Sequence, residues 1–295
     1  NYVIPTSSLE KSLLTGDYLF VSKMSYGPRK PQTPLTLPLT QHTLPVFGCK
    51  SYIEWPQWKY ERAKGFGHVQ LNDIVVFNYP AGDTLCAGER WQGSDYYQMV
   101  YAYGEQLVAR NEGVANLDSM NRFQQRQYFD KVYATGRAYI MADPDMQGFE
   151  GIMTRPVDRR ENYVKRCVGL PGQTLQIKNH IIYLDGKANK EPDNVQYSYY
   201  LKLMNNIPDE LTKELNISEE DVMLLNERGY MTLTNKALKA LKAVPGLVQS
   251  VSLNKDNTTS DIYPLNGATG WTRDNYGPIW IPKRGATLKL SLDNI

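Results

Sequence analysis

The stretch "YVKRCVGLPGQTLQIKNHIIYLDGK", from Tyr163 to Lys187, constrains the fold most, because turn signals divide it into short apolar runs. The runs are Tyr163–Val168, Thr174–Ile177 and His180–Leu184, each too short for a stable helix. The turn "GLPG" (Gly169–Gly172) needs a positive φ at its glycine, and "KN" and "LDGK" are further turn signals. This region is therefore predicted to be antiparallel β.

Other parts of the chain add strands, helices and one long loop. Asp17–Lys23 and Asp73–Tyr79 are further strand candidates, and 21 tyrosines, 17 prolines and 22 glycines favour strands and turns. Tyr96–Tyr139 and Ile207–Val244 have apolar residues at helical spacing, and the second contains the capping pattern "SEED". Pro28–Pro45 is dense in proline and is predicted to be an extended loop.

These patterns predict a mainly β fold, an antiparallel β core interrupted by helices and α+β overall. We expect a discontinuous β core at residues 1–87 and 151–200. We expect one helical insertion at 88–150, a second at 201–250, and a return to β structure at 251–295.

Composition excludes several classes of protein. The chain has 33 basic and 31 acidic residues and no clustered basic stretch, which disfavours a nucleic-acid partner. Its three cysteines form no CxxC pair, and no metal, nucleotide or other cofactor site is predicted. No apolar run approaches the roughly 18–20 residues that span a bilayer. Because the chain starts at Asn1 without a methionine or a signal peptide, we expect a trimmed piece of a longer protein.

Three hydroxyl residues in a row, Thr6, Ser7 and Ser8, raise the possibility of a nucleophile. If residues 2–8 are extended, Tyr2, Ile4, Thr6 and Ser8 share one face. Ser8 could then attack a carbonyl while its own N–H and the Thr6 hydroxyl hold the oxyanion. Taken alone, such a run is more often a loop or a helix cap.

A serine nucleophile needs a base. The chain has three histidines, none in a catalytic-looking context: His42, His68 and His180. A lysine can serve if burial keeps its amine neutral near pH 7. Lys165 would share a strand face with Tyr163 and Cys167, which predicts a desolvated setting. The ordinary interpretation is an edge lysine whose charge reaches water.

Three stretches, in order, carry a resemblance to a known family. They are "IPTSSLEKSLLTGDYLFVSKMSYG" (Ile4–Gly27), "NDIVVFNYP" (Asn72–Pro80) and "NYVKRCVGLPGQTL" (Asn162–Leu175), about a fifth of the chain. The chain resembles type I signal peptidases, the membrane-anchored Ser-Lys proteases that cleave signal peptides. The resemblance implies Ser8 as nucleophile and Lys165 as base.

The chain departs from the family pattern in two ways. Leu9 replaces a methionine, Lys11 a proline, and Thr6 a serine that helps to form the oxyanion hole; leucine and threonine preserve the chemistry. The family's closing Gly-Asp-Asn-Arg and Ser-x-Asp-Ser-Arg segments are not found, although "GWTRDNYGPIWIP" (Gly270–Pro282) shares some letters. Either the piece is trimmed at both ends or the homologue has lost the motif and is inactive. We expect weak or no activity from these 295 residues, because Lys165 would lack its orienting partners.

The resemblance implies an endopeptidase that removes signal peptides from exported pre-proteins after a small-x-small motif, with the substrate extended along a sheet edge. It implies attachment to the bacterial inner membrane through an N-terminal anchor, with the catalytic domain on the periplasmic side. The candidate substrate-binding residues are Tyr2, Ile4, Leu9, Leu13 and, beside the lysine stem, Tyr163. One alternative is a catalytically inactive peptide- or partner-binding homologue. Another is a self-cleaving repressor-type protease, which the lack of a helix-turn-helix pattern disfavours.

Overall fold

The computed structural model of the protein describes residues 2–40, 42–44, 47–80, 82–259, 262–265 and 269–289. Within these ranges the chain forms thirteen strands and five α-helices. The strands are β1 Tyr2–Val3, β2 Tyr18–Leu19, β3 Ile74–Asn78, β4 Thr84–Cys86, β5 Ile152–Thr154, β6 Asn162–Arg166, β7 Thr174–Lys178, β8 Ile181–Leu184, β9 Lys187–Ala188, β10 Gln196–Leu203, β11 Tyr230–Thr234, β12 Val248–Leu253 and β13 Tyr276–Trp280. The helices are α1 Tyr96–Glu112, α2 Arg122–Ala142, α3 Asp209–Glu214, α4 Glu219–Arg228 and α5 Asn235–Ala243.

The strands of the described residues form five small antiparallel sheets and no closed barrel. Three sheets are the pairs β1–β2, β3–β6 and β4–β5; the others have the orders β13-β7-β8-β9 and β11-β10-β12. Helix accounts for 27% and strand for 22% of the structure, so the architecture is mixed α+β. This confirms the α+β class, whereas the expectation of a mainly β fold is wrong because helix exceeds strand. Each of the five predicted strands overlaps an observed one: β2, β3, β6, β7 and β8.

The two hairpin turns follow from local backbone chemistry. Asn179 and His180 join β7 to β8 with φ values of 47° and 63°, and Asp185 and Gly186 join β8 to β9 at 50° and 80°. Positive φ at both central residues is the type I′ geometry, whose twist matches that of the flanking strands. The turn signals therefore set the register of this sheet.

The first insertion is a helical hairpin that leaves the core between β4 and β5. Helices α1 and α2 approach so closely that a Cβ on Gly104 would lie 2.1 Å from the carbonyl oxygen of Val132. A Cβ on Gly136 would lie 1.8 Å from that of Val100. The helix contact thus requires glycine at both positions. A buried cluster lies at its base: Cys86, Tyr96, Val100, Ile140 and Phe149.

The second insertion is not purely helical, which corrects the expectation for residues 201–250. Strands β10, β11 and β12 form a sheet of their own, and α4 and α5 pack on β11. In β11 only Met231 and Leu233 are fully buried. Such a short alternation between two helical sequences is not recognisable as a strand from the sequence. Helix α5 buries Ala237 and Leu241 in one cluster with Met231 and Leu233. This insertion therefore has its own hydrophobic core.

The proline-rich segment is a loop, as predicted: its described part up to Leu44 has bends, a turn at Pro38 and Leu39, and isolated bridges such as Arg29 to Arg62. Pro45 lies outside the described residues. Within the region expected to return to β structure, the stretch "ATLKLSL" (286–292) forms no strand over residues 286–289, and its remainder lies outside the described residues.

Candidate active site

The segment that carries the hydroxyls is a short strand followed by a turn. β1 pairs with β2, and Ile4 extends this pairing by exchanging backbone hydrogen bonds with Asp17 and Gly16. The chain then turns into a 3-10 helix over Ser7–Leu9. The prediction of an extended run from residue 2 to 8 is therefore wrong after Thr6.

The turn has a packing reason. Ile4 and Leu9 are only 3% and 8% exposed, so both point inward. A continuous strand would place an even-numbered and an odd-numbered residue on opposite faces. The helical turn instead lets both side chains be buried beneath the hydroxyl run.

The hydroxyls of Thr6 and Ser8 still lie together, 3.4 Å apart. Thr6 is extended and immediately precedes the 3-10 helix, and Ser8 is its second residue. The first amides of such a turn have no acceptor within it, so the Ser8 N–H is free of the turn's own backbone hydrogen bonding. The pairing predicted from strand periodicity is thus produced by a different local structure.

Lys165 reaches this segment from β6. Its Nζ lies 2.6 Å from Ser8 Oγ, within hydrogen-bond distance. In the β3–β6 register Lys165 is opposite Val75 and Tyr163 is opposite Phe77, so these four side chains share one face. The fold therefore brings together two residues that are 157 positions apart in sequence.

Lys165 is exposed, which corrects the prediction of a desolvated setting. The Tyr163 ring stacks on Tyr79 with centroids 4.4 Å apart, and its hydroxyl donates to the Gly93 carbonyl. The Cys167 thiol contacts the Gly169 carbonyl. Because both neighbours are engaged elsewhere, neither covers the lysine.

The stacked tyrosines belong to a polar cluster around buried Asp95, the residue that caps α1. Asp95 accepts hydrogen bonds from the hydroxyls of Tyr79 and Tyr263. Burial, followed by nearby Asp95, raises the pKa of Tyr79 to about 12; burial also raises the pKa of Tyr163. Both phenols are therefore protonated near neutral pH and serve to hold the first insertion against the lysine face.

The predicted substrate-binding residues differ in exposure. Tyr2 is exposed, Leu13 and Tyr163 are half-buried, and Ile4 and Leu9 belong to the core. Ile4 and Leu9 can support the site from below, but little of their surface is open to a ligand.

The residues that hold the nucleophile segment in place were not among those predicted from the sequence. Arg166 donates to Ser12 Oγ at 2.7 Å and to the Asn72 carbonyl at 3.0 Å. Asn194 also donates to Ser12 Oγ, at 2.6 Å. The only sequence signal was indirect, because Arg166 follows Lys165 and Ser12 takes the place of a threonine in the family segment.

The described part of the chain holds no group of three or more His, Cys, Asp or Glu side chains arranged to bind a metal. In the same residues, no helix is both long enough and apolar enough to cross a bilayer.

Comparison with known proteins shows to which family the chain belongs. A family model described as signal peptidase, peptidase S26, matches residues 1–229, well over half of the chain. The chain belongs to this signal peptidase family. The resemblance to type I signal peptidases is thereby confirmed.

Individual signal peptidases match only over short stretches. Signal peptidase I of Bacillus amyloliquefaciens is 56% identical over 32 residues, 11% of this chain and 17% of that protein. Signal peptidase I of Bacillus caldolyticus is 49% identical over 35 residues, 12% of this chain and 19% of that protein. The alignments thus span less than a fifth of either relative. No solved structure gives a significant match to the chain.

Proposed function

We propose that this chain is the catalytic part of a type I signal peptidase, a serine endopeptidase with Ser8 as nucleophile and Lys165 as general base. The observation that carries the proposal is the 2.6 Å distance between Lys165 Nζ and Ser8 Oγ. The two residues lie in the proposed signal-peptidase-like coiled-sheet core, residues 1–87 and 151–200. Membership of the signal peptidase family supports the assignment.

In the proposed reaction, Ser8 Oγ attacks the scissile carbonyl while neutral Lys165 accepts its proton. The resulting oxyanion is held by the Ser8 N–H and by the hydroxyl of Thr6, which lies 3.4 Å from Ser8 Oγ. Lys165 then donates the proton to the leaving amine, which leaves an ester on Ser8. Water hydrolyses this ester, with Lys165 again acting as base.

The proposed substrate is the signal peptide of an exported pre-protein, bound as an extended strand. In the described residues β6 pairs only with β3, so a further strand can be added at its other edge. Period-two geometry places the −1 and −3 side chains of such a strand on one face, which accounts for cleavage after a small-x-small motif. Tyr2 and Leu13 are proposed pocket walls, with Ile4 and Leu9 beneath them. The proposed location is the bacterial inner membrane, with an N-terminal anchor and the catalytic domain on the periplasmic side.

The exposure of Lys165 is the one observation that favours the alternative, an inactive peptide- or partner-binding homologue. A fully hydrated ammonium is a poor general base. In our proposal, the bound peptide covers Lys165 and excludes water, which disfavours the charged form. The 2.6 Å contact with Ser8 also supports the proposal that Lys165 is already oriented toward the nucleophile. We therefore propose an active protein, contrary to the sequence-based expectation of weak or no activity.

The test is cleavage of a pre-protein with Ala-x-Ala before its cleavage site. We expect Ser8→Ala to abolish cleavage and Lys165→Met, which keeps the apolar stem, to lower kcat by about 100- to 10,000-fold. Ser7→Ala is the matched control, since it removes the neighbouring hydroxyl, and should cleave like the parent. If the Ser8 and Lys165 variants cleave as well as the parent, the dyad is wrong. If the parent binds the peptide without cleaving it, the inactive homologue is correct.

A further inference from the structure

Lys11, three residues after Ser8, is held by the second insertion. Its Nζ donates to the carbonyl oxygen of Asn216, which follows α3, at 2.5 Å. The Glu10 carboxylate lies 3.6 Å from the same Nζ, and the Lys11 side chain is only 14% exposed. An ammonium with so little access to water depends on these two acceptors, and hydrogen bonds to a charged group are the stronger kind.

Ser12 is held from two sides. Its Oγ accepts from Asn194, two residues before β10, and from Arg166, the neighbour of Lys165 on β6. The Asn194 amide also donates to the Lys11 carbonyl at 3.3 Å. The segment that follows Ser8 is therefore fastened to the strand that carries the base, to the loop before β10 and, through Lys11, to the second insertion.

The backbone of this segment depends on such contacts. Lys11 has a φ of 65°, which is unfavourable for a residue with a Cβ and persists only where the surroundings impose it. Proline, the family residue at this position, cannot adopt this φ. The lysine side chain and the backbone conformation thus form one local arrangement that differs from the family pattern.

We propose that the second insertion is a positioning element for the nucleophile. Lys11, through Asn216 of the insertion, holds the Ser8 turn within reach of Lys165, and Ser12, through Asn194 in the loop before β10, supports the same turn. The kinetic consequence rests on the proposed function. A catalytic group displaced by about 1 Å loses about 100-fold in rate, so loosening this segment lowers turnover without touching the substrate.

The kinetic arm of the test uses Lys11→Met, which keeps the stem and removes the donor. We expect kcat to fall by about 10- to 100-fold with KM unchanged, and Lys11→Arg, which restores a donor, to recover most of it. Asn194→Ala should act in the same direction. Lys236→Met, at an exposed site on α5, is the control and should match the parent.

The second arm does not require activity. The amides of Ser12 and Leu13 both donate to the Leu9 carbonyl and close the turn. In Lys11→Met, hydrogen exchange at these amides should accelerate about tenfold or more, with the urea unfolding midpoint unchanged.

Each outcome decides a different point. Unchanged exchange in Lys11→Met overturns the positioning role, and so does faster exchange with unchanged kcat in an active protein. A parent that shows no Ser8-dependent cleavage overturns the proposed function instead. The exchange measurement then decides alone whether the insertion holds the segment.

Discussion

Adding one methyl group at Gly136 should force the two long helices apart. Its Cβ would lie 1.8 Å from the Val100 carbonyl oxygen, and such contacts essentially never fall below 3.0 Å, so the backbones must separate by about 1.2 Å. Both neighbouring backbones are helical, and Val100, Val132 and Ile140 are fully buried beside them, so no flexible side chain can absorb the shift. Overpacking of this kind costs about 1–3 kcal/mol.

Because the required shift is of backbone rather than of side chains, the overpacking cost should fall at the upper end of this range, about 3 kcal/mol. Replacing a helical glycine with alanine gains about 1 kcal/mol, so Gly136→Ala should be destabilised by about 2 kcal/mol net. Urea unfolding followed by circular dichroism measures this difference. Gly67→Ala is the control, because a Cβ there meets nothing within 4 Å and φ is not positive. Gly104→Ala acts on the same helix contact, so the double variant should lose less than the sum of the two. A Gly136→Ala protein as stable as the parent would refute the reasoning.

Three further predictions concern the oxyanion site, the long loop and the half-buried His42. Thr6→Val should lower kcat about 100- to 1,000-fold in the cleavage assay and Thr6→Ser should not; equal loss in both would remove Thr6 from the oxyanion site. Asp158→Ala should lower the free energy of unfolding by about 3 kcal/mol, because Asp158 accepts from the backbone of Gln32 and from both the backbone and hydroxyl of buried Thr33; a urea midpoint equal to the parent's would contradict this. Burial, followed by the charges of Arg155 and Arg159, lowers the pKa of His42 from 6.5 to about 4. The unfolded chain therefore takes up the proton first, and the free energy of unfolding should fall as the pH drops from about 6.5 to about 4. Urea titrations of His42→Gln against the parent isolate this contribution, and parallel pH curves would contradict it.

The comparison with His42→Gln is needed because a second group titrates nearby. Burial raises the pKa of Glu161, whose carboxylate lies 3.4 Å from His42 Nε2. A raised carboxyl pKa favours the folded state as pH falls, which opposes the histidine effect. The difference between the two proteins, rather than either pH curve, therefore reports the titration of His42.

The candidate site was predictable in part. Residue order within the resembling stretches predicted Ser8 and Lys165 as partners, and the structure places the two side chains in contact. Strand periodicity led to the right hydroxyl pair for a wrong reason, because the burial of Ile4 and Leu9 requires a turn. The predicted desolvation of Lys165 was wrong. The two-residue repeat of a strand shows which side chains share a face, but it does not show what covers that face.

Local chemistry by itself determined the hairpin turns, the capping box at Ser218 and helix α5. Each of these depends on residues within a few positions of one another. Tertiary structure alone decided that residues 196–253 form a sheet with helices, and that Lys11 reaches Asn216 across 205 positions. The physical reason is that side-chain contacts between distant segments depend on how separate hydrophobic cores pack and where their loops emerge, and no local sequence pattern encodes this.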